Sequence, residues 1–79
     1  MLENNQLAAT VFRDELALSI YDADHSDDEE RWITIGTAET GELLLVVHTF
    51  EESSPQETLL RIISAREPTR QERLDYQGR

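Results

Sequence analysis

The residues best spaced for chemistry are arginines near the C-terminal end of the chain. Arg66 stands at the end of a predicted strand, and Arg70 and Arg73 lie three apart in the helix predicted to follow. Residues at i and i+3 share a helix face, so the three side chains meet where strand passes into helix. Guanidinium forks and a helix N-terminus both suit a phosphate. The plainer reading is that these arginines pair with Glu67, Glu72 and Asp75, and both readings stand at this point. Arg61 comes five residues before Arg66. In a regular strand that odd spacing sends the two side chains to opposite faces, so they are not expected to form one clamp.

His48 is the second candidate. Its imidazole titrates near neutral pH and suits proton transfer. It also sits in the longest apolar run, Leu43 to Phe50, where a buried histidine hydrogen-bonded to a neighbouring strand is the commoner outcome. Arg31 follows Asp27-Asp28-Glu29-Glu30 and is expected to be neutralised locally, while Trp32 and Tyr76 read as packing residues. There is no phosphate-binding glycine loop, HExxH or GxSxG. Asp22, Asp24, Ser26 and Asp28 invite comparison with a calcium loop. Asp27 stands where that loop needs Gly and Ile33 where it needs a bidentate Glu, so a solvated acidic loop is expected and no metal site.

The elements that must position these residues follow from periodicity. Leu7, Ala8, Val11 and Phe12 form the stripe of a short amphipathic helix. Leu16, Leu18 and Ile20 alternate with polar or small residues up to Tyr21, a half-buried strand. Asp22 to Glu30 is an acidic loop. Arg31 to Ala38 is the next strand, with Ile33 and Ile35 on one face and Trp32 and Thr34 on the other. Glu39 to Glu42 is a hairpin loop with Gly41 at the turn. Leu43 to Phe50 is apolar without alternation, as expected of a strand covered on both faces, and it is read as the one central strand. Glu51 to Glu57 contains Ser53-Ser54-Pro55 and reads as a polar hairpin loop. Leu59 to Arg66 is the last strand, with Leu60, Ile62, Ser64 and Arg66 on one face and Leu59, Arg61, Ile63 and Ala65 on the other. Thr69 and Glu72 match a capping box opening a helix over Arg70 to Tyr76. The expected fold is α+β: an antiparallel meander of about four strands between an N-terminal and a C-terminal helix.

Seventy-nine residues make a single domain over 1–79. A chain this small buries only about 60–65% of its unfolded surface. There is no Cys, so disulfides and thiolate metal sites are excluded. The net charge is −10, and all seven cations are Arg. Residues 1–30 hold nine acids and one Arg, whereas residues 51–79 hold six acids and five Arg. The whole-chain charge argues against nonspecific nucleic-acid binding, while the C-terminal third retains a local arginine cluster. No leader-like start and no membrane-length apolar run is present, so a soluble cytoplasmic protein is expected.

As a set, these residues resemble a known family. Asp24-His25-Ser26, Glu30-Arg31-Trp32-Ile33, Ile35-Gly36, Gly41, Leu45-Val46-Val47-His48-Thr49, Arg61-Ile62-Ile63-Ser64-Ala65-Arg66, and Thr69 through Glu72-Arg73 to Tyr76 resemble the BrnT toxin family in order and spacing. Leu7 to Phe12 looks like that family's helix leading into its second strand. The resemblance covers most of the chain and is most specific from Arg61 to Tyr76. It implies a RelE-like toxin fold and a ribonuclease that arrests translation. It also implies a partner antitoxin with a ribbon-helix-helix domain, in a complex that represses its own operon. Members normally open with a further strand and helix carrying basic groups. This chain begins at the following helix, so an uncovered apolar sheet face and self-association are expected.

Two functions follow. The first is a metal-independent endoribonuclease, with no cofactor, in which the RNA 2′-hydroxyl attacks the adjacent phosphate. That reaction needs proton transfer and cations over the developing charge. His48, Arg66 and Arg31 are the catalytic candidates, with Arg61, Ser64, Arg70 and Arg73 binding phosphate. The second is a catalytically inactive module that binds its antitoxin.

Overall fold

A computed structural model describes residues 4–25 and 29–78. Helix α1 (Asn4–Thr10) runs into a 3-10 turn, Val11–Arg13, and four strands follow: β1 (Leu18–Tyr21), β2 (Arg31–Thr37), β3 (Leu43–Ser54) and β4 (Glu57–Arg66). Helix α2 (Arg70–Gln77) closes the chain. The strands form one antiparallel sheet in the order β1-β2-β3-β4. The α+β meander between two helices is therefore as the sequence predicts. Both β2 and β3 are interior strands, so the expectation of a single central strand is corrected.

The apolar run of β3 divides between two faces, because successive side chains alternate. Leu44, Val46 and His48 point to one face, where Val46 packs with Ala8, Val11, Ala38 and Leu44 in the buried core. Leu7, Phe12 and Ile62 pack around that cluster, which fixes α1 on this face. Leu45 and Thr49 are buried on the opposite face with Ile35, the cross-strand partner of Leu45. Gly36 makes the α1 side tight. A Cβ there would stand 2.7 Å from Val11 Cγ1 and 3.2 Å from the Val11 carbonyl oxygen, so only glycine lets the 3-10 turn approach β2 this closely.

Four strand bounds differ from the sequence reading, the smallest being the end of β2 at Thr37 rather than Ala38. β1 begins at Leu18 rather than Leu16 because Asp14 turns the chain: its Oδ1 accepts the Leu16 amide at 2.9 Å, and its carbonyl accepts the Ala17 amide at 3.1 Å. The polar stretch Glu51–Glu57 is not a loop. The β3–β4 hairpin continues through it, with Glu51 opposite Leu59 and Ser54 opposite Glu57, leaving Pro55 and Gln56 as the turn. Proline suits the first central position of such a turn. The polarity of this stretch reflects an exposed ladder rather than an absence of pairing.

The pairing of β3 with β4 slips between Val47 and His48. Val47 pairs with Ser64 and His48 with Ile62, which leaves Ile63 as an extra residue, a β-bulge. Since directly opposed residues share a face, the two faces predicted for this strand are wrong beyond the bulge. Ser64 and Arg66 join Leu59 and Arg61, while Ala65 joins Leu60 and Ile62.

Helix α2 has the predicted capping box: the Thr69 hydroxyl accepts the Glu72 amide, and the Glu72 carboxylate accepts the Thr69 amide at 2.7 Å. It buries no residue of its own, and Leu74, its expected apolar contact, is 51% exposed. Polar links hold it instead. The Tyr76 hydroxyl donates to Asp14 Oδ2, which also accepts the Thr37 amide at 2.8 Å. One carboxylate thus ties the 3-10 turn, the end of β2 and α2 together. We expect Gly36→Ala to destabilise the fold by about 1–3 kcal/mol through overpacking, measured by urea unfolding. An unchanged midpoint would show that the helix side has slack the geometry denies.

Candidate functional site

The slip at Ile63 places the arginines. Arg61 is opposite Thr49 and Arg66 opposite Leu45, both on the odd-numbered face of β3. Arg61 and Arg66 therefore share one sheet face, against the parity expected of a regular strand. Arg31 is also opposite Thr49, from the β2 side. Arg31, Thr49 and Arg61 form one row across three strands, and Ile33, Val47 and Ser64 form the next. Ile35, Leu45 and Arg66 form a third. From strand spacings, Arg31 and Arg61 start about 10 Å apart, and Arg61 and Arg66 about 13 Å apart.

Three arginines thus frame a patch floored by Thr49, Val47 and Ser64. Beyond Arg66 the chain enters α2, where Arg70 and Arg73 are exposed and make no ion pair among the described residues. Of the candidate set, Arg31, Arg61, Ser64 and Arg66 come together on this face, with Arg70 and Arg73 continuing from its Arg66 end.

Carboxylates already occupy two of the arginines. Arg66 Nη1 and Nη2 donate to Glu72 Oε1 and Oε2 at 2.8 and 3.0 Å, a bidentate pair. Arg61 Nη2 is paired with Glu29. The Arg66–Glu72 pairing was the plainer sequence reading. The Glu29–Arg61 pairing had no local signal, because the partners are 32 residues apart and meet only across the sheet. The Arg61–Glu29 pair is solvent-accessible and of the kind that holds by only about 0–1 kcal/mol, whereas the bidentate Arg66–Glu72 pair, with its carboxylate less exposed, is the harder of the two for another anion to displace.

His48 is on the other face and is fully buried. Phe12 and Phe50 stand edge-on to its ring with centroids at 4.8 and 4.9 Å. Its Nε2 lies 2.6 Å from Thr34 Oγ1, which lies 2.7 Å from Ser19 Oγ, so a hydroxyl chain runs from His48 through β2 to β1. Nδ1 is buried without a hydrogen-bond partner among the described residues. Burial pushes the imidazole pKa below its usual value, which favours the neutral ring. The arrangement is that of the buried, hydrogen-bonded histidine weighed above, and the sheet separates it from the arginines. Thr34 and Ser19 escaped the sequence reading because hydroxyls on alternating strands carry no pattern of their own.

Trp32 and Tyr21 contact each other edge-on at 5.3 Å, and Trp32 meets Phe50 at 6.3 Å. These rings pack on one another, as expected for Trp32. Tyr76 instead holds α2. Of the residues compared with a calcium loop, Ser26, Asp27 and Asp28 lie outside the described residues, as does the side chain of His25. No described helix is long and apolar enough to cross a membrane.

Comparison with known proteins adds the family. Residues 4–72 match the family model described as ribonuclease toxin, BrnT, of type II toxin-antitoxin system. No curated protein matches the chain.

The Arg66 pair lowers the Glu72 carboxyl from 4.5 to about 2, with the Thr69 amide contributing. Asp14 is also held below its ordinary value, chiefly by Tyr76 and then by the Thr37 amide. Both groups have folded pKa values below their unfolded ones, so their stabilisation is complete above the ordinary carboxylate range and is lost as pH falls. Both anchor α2. Amide exchange is therefore expected to show α2 losing protection between about pH 4.5 and about 2 while β3 keeps its own. Glu72→Gln, which has no carboxylate to titrate there, should lower α2 protection already at neutral pH and leave Asp14 to carry the remaining acid dependence. Equal loss in α2 and β3 would contradict this account of the helix.

Proposed function

Because the chain belongs to the BrnT family of ribonuclease toxins of type II toxin–antitoxin systems, we propose that it cleaves RNA on the arginine face of its sheet. The observation that carries this reading is the convergence of Arg31, Arg61 and Arg66 on one face through the Ile63 bulge. An open, cation-framed patch suits a polymer backbone better than an enclosed pocket does. Arginine forks bind non-bridging phosphate oxygens two at a time.

The proposed reaction needs no metal. The 2′-oxygen attacks phosphorus, the bond from phosphorus to the 5′-oxygen breaks, a 2′,3′-cyclic phosphate forms, and the 5′-oxygen leaves as a hydroxyl with a proton taken from water. Negative charge builds on the non-bridging oxygens, where Arg66 and Arg61 stabilise it and Arg31 flanks it. Ser64, between Arg61 and Arg66 on the same face, donates its hydroxyl to the phosphate. Arg70 and Arg73 hold the next phosphates along the strand. RNA must first displace Glu29 and Glu72 from the arginines. Glu29, the more exposed carboxylate of the two, is then free to take the 2′-hydroxyl proton. His48 supports the sheet from behind, so its contribution is to stability rather than to proton transfer at this patch.

Cleavage of transcripts arrests translation, which places the activity in the cytoplasm. A toxin family implies an antitoxin. We propose one with a ribbon-helix-helix DNA-binding domain, so that the complex represses its own operon.

A second reading is favoured by one observation: both arginines of β4 are already engaged by the chain's own carboxylates. On that reading the chain is an inactive module whose part is to bind the antitoxin. The two readings separate in one assay, RNA cleavage by the purified chain beside Arg61→Ala, Arg66→Ala and His48→Gln. Arg66→Ala is expected to lower the rate about 100-fold or more, as loss of a charge-stabilising donor does. His48→Gln is expected to lower the unfolding midpoint more than the rate. Intact RNA after incubation with folded protein, together with a tight antitoxin complex and no growth arrest, would establish the inactive module.

A further inference from the structure

Helix α2 buries no residue of its own and is held by polar contacts near each of its ends. At its start, Arg66 Nη1 and Nη2 donate to Glu72 Oε1 and Oε2 at 2.8 and 3.0 Å, and Nη1 also donates to the Glu67 carbonyl at 3.1 Å. At its far end, the Tyr76 hydroxyl donates to Asp14 Oδ2 and stands 3.4 Å from Thr37 Oγ1. Isolated helices shorter than about 12–15 residues are marginal in water. The eight residues of α2 therefore depend on these contacts to stay helical. Pro68, just before the cap, is buried, which seats the base of the helix and leaves Thr69 as the pivot.

Glu72 joins two of these functions in one group. Its Oε1 accepts both Arg66 Nη1 at 2.8 Å and the Thr69 amide at 2.7 Å. The same carboxylate thus closes the capping box and fills the guanidinium fork. Such a fork takes a carboxylate or a phosphate through the same two parallel bonds, so Glu72 stands where a phosphate would.

We propose that α2 is an autoinhibitory strap, in which Glu72 occupies the phosphate place of Arg66 and an incoming phosphate chain releases the first turn of the helix. The inference rests on the ribonuclease reading for its ligand, a single-stranded nucleic acid. A phosphate that takes the fork of Arg66 removes all three of its contacts to residues 67–72 and leaves the Thr69 amide without a fixed acceptor. Arg61 differs in this respect. Its partner Glu29 lies outside every helix and strand, so displacing it undoes no element. Arg61 admits a phosphate freely, and Arg66 admits one only when the start of α2 lets go. The coupling is reciprocal, so whatever loosens α2 strengthens phosphate binding at Arg66, even when it acts at the far end of the helix.

The test uses the full chain and a 2′-O-methyl oligoribonucleotide of about ten nucleotides, within the usual size of a single-strand site, which cannot be cut through its 2′-oxygen. Adding it is expected to raise amide exchange across α2 while β3 keeps its protection. By fluorescence anisotropy, Glu72→Gln, which keeps a capping amide but offers Arg66 no charge, is expected to bind about five- to tenfold tighter than the parent. Glu67→Gln makes the same charge change beside Arg66 and is expected to stay within about twofold of the parent. Tyr76→Phe changes no charge and lies at the far end of the helix, and it is expected to tighten binding as well. The inference is overturned if α2 keeps its protection in the complex, if Glu72→Gln binds no tighter than Glu67→Gln, or if Tyr76→Phe leaves the affinity unchanged. Cleavage of unmodified RNA is assayed separately. Intact RNA beside a released α2 overturns the ribonuclease reading and keeps the strap, whereas cleavage by a chain whose α2 stays protected does the reverse.

Discussion

The slip of one residue between β3 and β4 decides what this small sheet can present. Side chains alternate along a strand, so an inserted residue reverses the facing of everything beyond it. Ile63 is that residue, and it brings Ser64 and Arg66 onto the face of Arg61. Without it Arg66 would point toward the side packed by α1, where Val46 and Ala8 leave no exposure. A charged side chain there would need a partner that the apolar cluster does not offer. The bulge thus keeps the helix-covered face apolar and gathers the cations on the other.

The two faces of β3 consequently do different work. The α1 side is dry and close-packed. Its closeness depends on Gly36 beneath Val11, and the buried imidazole of His48 is enclosed there by Phe12 and Phe50 and hydrogen-bonded through Thr34 to Ser19. The arginine side is floored by buried Leu45, Ile35 and Thr49, and its rim is charged. A rigid floor with exchangeable charges at its rim is a reasonable platform for an extended anion. The Glu29 and Glu72 pairs hold the guanidinium groups in place while no anion is bound.

Helix α2 is fastened in a third way. It has no buried side chain, so the apolar burial that anchors α1 is absent. A capping box, a bidentate Arg66–Glu72 pair and the Tyr76–Asp14 hydrogen bond hold it. Glu72 serves two of these, accepting from the Thr69 amide and from Arg66. Anything that binds Arg66 in place of Glu72 therefore loosens the start of α2, which links occupancy of the arginine face to the order of the last helix.

The sequence by itself determined the number, type and order of the elements, because the apolar stripe of α1, the alternation of the strands and the Thr69–Glu72 box are local signals. The ends of the β3–β4 hairpin were not legible in it, since exposed strands and loops share a polar composition. The family was legible too, from motifs whose order and spacing run along the chain. Only the tertiary structure decided which candidate residues share a face. Strand parity can be counted from a sequence only while the pairing is regular, and nothing in Ile62-Ile63-Ser64 marks a bulge. The burial of His48 and the pairing of Glu29 with Arg61 were likewise hidden, because each depends on contacts between residues far apart in the chain.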